Sequence, residues 1–158
     1  SAFVVAYLMI ILISYSPEDP GFDRLHYVES INNFGGETGA WISSILLYLF
    51  GIFGFSIPFS ILIAGWISLQ IRRAQSNEAE LYKPYLLSLS GVLMLLLTGS
   101  SMSALFLPAQ SLPMALPFSS GGVIGYELAG FLVRSVDLLM TTMLLIGGFA
   151  FGLSLLSR

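Results

Sequence analysis

Few residues in this chain are of a type that does chemistry, and their spacing limits what they can do. There is one histidine, His26, with Asp19, Asp23 and Glu29 near it in sequence, and no cysteine. None of these has metal-ligand spacing such as HExxH, and one His among scattered carboxylates in a connecting loop reads as hydrated surface. His26 also has no nucleophile elbow to partner it, so a Ser/His/Asp arrangement finds no support. Gly35-Gly36 resembles part of a phosphate cradle, but GxxxxGK[ST] occurs nowhere in the 158 residues. The remaining charged group is Glu127, Arg134 and Asp137. Glu127 and Arg134 share a helical face but lie two turns apart, too far to pair directly. Asp137 and Arg134 read as hydrated interfacial anchors at the mouth of a span. The expectation is no catalytic, cofactor-binding or metal-binding residue.

The elements that carry these residues follow from the distribution of charge. Only 9% of the residues are charged and 56% are hydrophobic, with a formal net charge of −3. A soluble domain carries about 25% charged residues, so the composition excludes a soluble monomer, a disordered tail and a basic nucleic-acid-binding module. The absence of Cys excludes a disulfide-stapled scaffold. Positions 1–17 carry no charge, 18–37 carry six, 38–71 none, 72–83 five, 84–126 none, 127–137 three and 138–157 none. A helix needs about 20 apolar residues to cross the hydrocarbon core. The uncharged runs predict an all-α membrane domain with four spans, at about 1–15, 41–69, 85–107 and 138–157. The first run is too short alone and starts with Ser, so it reads as the outer part of a span whose beginning is missing.

The stretch 108–137 needs separate treatment. Pro108, Pro113 and Pro117 break any helix leaving the third span. Beyond Ser119-Ser120-Gly121-Gly122, the residues Ile124, Leu128, Phe131 and Leu132 recur on one helical face. In a span, Glu127, Arg134 and Asp137 would each cost about 2.5–3.5 kcal/mol, more than the neighbouring apolar side chains return at about 0.3–0.6 each. Residues 123–136 are therefore expected to form an extra amphipathic helix on the outer surface, and 138–157 the last span. Arg72, Arg73, Lys83 and Arg158 fall on one side of this topology, against Arg24 and Arg134 on the other. Lys and Arg favour the cytoplasm, which puts the 70–84 loop and both termini inside.

Within this frame the motifs read as structural. Pro17 and Pro20 stop the first helix, and Asp19 caps or turns the chain with its charge in water. Gly35, Gly36 and Gly39 allow unusual backbone before Trp41, which suits the headgroup boundary. Pro58 is expected to kink the second span. Small residues recur at helical intervals, Gly51 with Gly54, Gly99 with Ser103 and Gly148 with Gly152, and predict close helix packing. None of the spans has a charge away from its ends, which weighs against proton relays, ion-coupled transport and voltage sensing.

Three segments, in order, carry a resemblance. SYSPEDP, NNFGGETGAW followed by LYLFGIFGFSIP, and SSGGVIG together resemble the N-terminal membrane domain of the FtsK/SpoIIIE family of DNA translocases. The matching positions are Pro17, Asp19, Pro20, Gly35, Gly36, Gly39, Trp41, Pro58, Gly121, Gly122 and Gly125, and the resemblance implies a structural role for them. It further implies a multi-pass anchor in the bacterial inner membrane at the division septum, with both termini cytoplasmic. Implied partners are the lipid bilayer, other divisome membrane proteins and copies of the chain in a hexamer. A linker and an ATP-driven motor would follow the last span. ATP and Mg would belong to that motor, and no direct nucleic-acid contact is expected from this chain. Two alternatives stand beside this reading. One is a small transporter or channel subunit using the Pro58 kink and the hydroxyls of Thr98-Gly99-Ser100-Ser101; the other is a divisome scaffold without a motor.

Overall fold

The computed structural model describes residues 2–22, 30–73 and 78–156. They form five α-helices: α1 (Ala2–Ile13), α2 (Gly36–Phe50), α3 (Ser56–Arg73), α4 (Glu78–Phe106) and α5 (Gly122–Leu156), with no strand among the described residues. Two short 3₁₀ turns intervene, at Gly51–Phe55 between α2 and α3 and at Ala109–Ser111 in the connection after α4. His26, Asp23, Glu29 and Arg24 lie outside the described residues.

Gly36–Trp66, Leu86–Phe106 and Gly122–Leu156 are long and apolar enough to cross a membrane. The helix α1 is apolar throughout but has 12 residues, about 18 Å at 1.5 Å per residue, short of a hydrocarbon core of about 30 Å. Three full-length spans are thus present among the described residues, where the charge pattern predicts four.

The second span starts at Gly36 rather than 41 and is not one continuous helix. Its interruption falls at Gly51, whose φ of 59° and ψ of −139° no L side chain tolerates well. Pro58 follows in the first turn of α3, where its missing N–H costs little. The expected kink is therefore seated upstream of the proline, in glycine backbone. Helix α3 runs on to Arg73 and α4 begins at Glu78, so most of the expected 70–84 loop is helical.

Helix α5 contains one non-helical residue, Asp137, with φ 70° and ψ 164°. The break divides the helix into 122–136 and 138–156, and separates the charged segment from the uncharged one. Thr141 Oγ1 donates to the Asp137 carbonyl at 2.7 Å and Thr142 Oγ1 to that of Leu138 at 2.8 Å.

Packing inverts the pattern of a soluble protein. Large apolar side chains such as Phe3, Trp66, Leu139 and Met143 are exposed, while Ser43, Ser44, Ser100, Ser101, Ser120 and Thr141 are buried. Lipid makes the outward residues comfortable, and small residues inside let backbones come close. The largest interface is α4 with α5, and α1 packs on α2 and α3.

Candidate functional site

Two polar junctions hold these helices together. The first ties the end of α1 to the start of α2. Asp19 is 5% exposed, and its Oδ1 and Oδ2 accept the N–H groups of Asn32 and Asn33, each at 2.8 Å. Asn33 is itself buried; its Nδ2 donates to the Ile11 carbonyl at 2.8 Å and its Oδ1 accepts the Gly35 N–H at 2.9 Å. Ser14 Oγ accepts the Phe34 N–H at 3.1 Å, and Ser44 Oγ accepts that of Phe22 at 3.2 Å. Gly39 completes the junction: a Cβ there would stand 2.6 Å from Asn33 Oδ1 and 2.8 Å from Ile11 Cγ2.

Asp19 is thus not a solvated turn residue as expected. Both of its carboxyl oxygens accept backbone N–H groups at a site largely closed to the surface. Pro17 and Pro20 flank it in the irregular segment after α1, and Gly35 and Gly36 lead into α2. Trp41 stands in α2 half-buried. Asn33 has no role in the sequence reading, although an Asn two residues before Gly35-Gly36 is an Asx-turn signal.

The second junction is where residues 119–122 enter between α4 and the α2–α3 break. The Ser120 carbonyl accepts the Ile52 N–H at 2.9 Å and the Ser103 hydroxyl at 3.1 Å. The Ser120 hydroxyl lies 2.8 Å from the Ser103 carbonyl and 2.6 Å from that of Leu107. Ser100 Oγ donates to the Phe50 carbonyl at 3.1 Å, at the residue where α2 gives way to the 3₁₀ turn. Gly51 and Gly122 meet back to back, each with positive φ, so that a Cβ on either would strike backbone of the other strand of chain. A Cβ on Gly121 or Gly125 would strike the Ser100 carbonyl, and one on Gly99 the Phe53 ring.

Below this junction α4 and α5 run together along small residues. A Cβ on Gly148 would stand 2.8 Å from Thr98 Cγ2, and one on Gly152 3.1 Å from the Gly91 carbonyl. A Cβ on Gly54 would stand 3.2 Å from the Leu46 carbonyl of its own span. Above it, four rings make a continuous ladder: Phe22 to Tyr48 at 5.6 Å, Tyr48 to Phe118 at 5.9 Å and Phe118 to Tyr126 at 5.6 Å between centroids.

The chemistry available is that of adhesion. Thr98 and Ser101 bond to carbonyls one turn back in α4, at 2.6 and 2.7 Å, and Ser100 bonds to Phe50. These hydroxyls are engaged within the chain rather than turned to a pore. Among the described residues no group of three His, Cys, Asp or Glu is placed to hold a metal, and no buried side-chain polar atom lacks a partner. Glu127, Arg134 and Asp137 are exposed.

Residues 1–158 match throughout the family described as the 4TM region of DNA translocase FtsK/SpoIIIE. The chain belongs to that family. It is 33% identical over 154 residues to a DNA translocase FtsK of Shewanella oneidensis, covering 98% of this chain and 16% of that protein. It is 30% identical over 151 residues to a DNA translocase FtsK of Pseudomonas putida, covering 94% of this chain and 17% of the relative. A DNA translocase FtsK of Vibrio vulnificus is 29% identical over 153 residues, 96% of this chain and 15% of the relative. The chain therefore spans about a sixth of the length of the relatives it matches. No solved structure matches it. Family and helices agree on a multi-pass helical membrane protein.

Proposed function

We propose that this chain is the non-catalytic membrane anchor and assembly domain of an FtsK-like DNA translocase in the bacterial inner membrane at the division septum. There it couples cell division to chromosome segregation. The observation that carries this reading is the match of all 158 residues to the membrane region of that family. The engagement of the polar groups within the chain supports an anchoring role over a conducting one. On this reading the 158 residues are one membrane domain with four spans and both termini in the cytoplasm. A linker and motor follow, and ATP and Mg bind to that motor alone. The motif residues from Pro17 to Gly125 and the packing glycines shape the domain and bind no cofactor.

The partners on this reading are the bilayer, copies of the chain in a hexamer and other divisome membrane proteins. Reading the gene past the codon for Arg158 tests it. A long linker and a GxxxxGK[ST] motif are expected, and a stop codon a few residues on overturns it. A fluorescent fusion of the full-length protein should collect at the septum, and uniform membrane staining would refute the septal role. For assembly, the full-length protein in detergent should have an oligomeric mass; a monomer would refute the hexamer.

A further inference from the structure

Arg134 lies three residues before the break in α5. The uncharged part that follows, 138–156, is about 28 Å long at 1.5 Å per residue, close to one hydrocarbon core. Arg134 therefore stands at the level of the headgroups. Its Nε donates to the Gly130 carbonyl at 3.0 Å, which lays the guanidinium back along the helix over a residue with no side chain. Its two Nη groups have no protein acceptor and no ion pair among the described residues. Beside it is a groove of about 350 Å³ between α4 and α5, lined by Ala104, Leu105, Tyr126, Ala129, Gly130, Val133 and Arg134. Its wall is largely apolar, and Arg134, unpaired among the described residues, and Tyr126 are the polar side chains that line it.

That combination selects an amphiphile. A free anion would leave the apolar wall bare, and a hydrocarbon would leave the guanidinium unpaired. The planar fork of Arg suits phosphate oxygens in a bidentate manner. We propose that this groove is a binding site for an anionic phospholipid, with the phosphodiester on the Nη groups of Arg134. The first methylenes of an acyl chain lie against Leu105 and Val133. The bilayer supplies the ligand, and the site fixes the angle at which 122–136 meets the last span.

Native mass spectrometry of the full-length protein in detergent, with phosphatidylglycerol or phosphatidylcholine added, tests this. The wild type should retain phosphatidylglycerol about fivefold better, the effect of one well-placed cation near a headgroup. Arg134→Gln should abolish the preference and Arg134→Lys restore part of it. Val133→Trp, which fills the groove and keeps the charge, should reduce retention of both lipids. Arg24→Gln removes an equal charge elsewhere and should change nothing. A preference that survives Arg134→Gln overturns the proposal. So does equal loss in Arg24→Gln, which makes the effect one of net charge, or displacement of the lipid by soluble glycerol phosphate. Unchanged helical circular dichroism in each variant separates loss of the site from loss of the fold.

Discussion

The carboxylate of Asp19 shows what residue-level reading reaches and where it stops. Its two flanking prolines mark a turn in the sequence, and a turn it is. Its burial depends on Asn32 and Asn33 folding back on it from 13 and 14 positions away, a distance that no local rule spans. Removing it leaves two backbone N–H groups without acceptors, at about 1–3 kcal/mol for each. Asp19→Ala is therefore expected to destabilise the domain by about 3 kcal/mol, read as a lowered melting temperature in detergent; a wild-type melt would show that water replaces the carboxylate. Gly51 makes a complementary case. Its type at that position reads as helix packing, whereas its backbone angles and the Ser120 carbonyl against it need a residue with no Cβ. Gly51→Ala places a side chain in strained backbone, for about 1–3 kcal/mol, and adds the clash. Loss of folded protein is expected, and a variant that expresses and melts normally would mean the break can rearrange.

At the scale of elements, charge gaps locate apolar helices well because each buried charge is costly in lipid. They do not locate helix ends, because helices continue past the membrane into water at no comparable cost. That is why α3 and α4 extend across most of residues 70–84. The break in α5 was legible, since the charges of Arg134 and Asp137 border an uncharged stretch that fits a span by itself. Its conformation was not, because nothing in the sequence marks Asp137 as holding φ 70° and ψ 164°. That region of backbone is almost confined to glycine and costs about 1–3 kcal/mol for another residue. Asp137→Gly should accordingly raise stability by about 1 kcal/mol after the extra freedom of glycine in the unfolded chain is subtracted. Chemical denaturation in detergent reads this, and a destabilised variant would place the value of Asp137 in its charge instead.

For the whole molecule, side-chain periodicity was a poor guide to which faces meet, since lipid accepts apolar residues as readily as a core does. The faces that meet are set by small residues and by hydroxyls bonded across the breaks, and these pairings emerge only in three dimensions. Orientation rests on a different force. Arg72, Arg73, Lys83 and Arg158 stand against Arg24 and Arg134, and Lys and Arg near span ends resist translocation whatever the acids around them do. The chain has no cysteine, so a single introduced thiol reports its own side. In spheroplasts, a membrane-impermeant maleimide should label Ser30→Cys at once and Ser76→Cys only after lysis. The reverse pattern would place the basic connection outside, and with it both termini. Labelling of both from one side would require an even number of crossings between them. That result would break the second span, because among the described residues Ser30 and Ser76 are separated by Gly36–Trp66 and no other stretch long enough to cross.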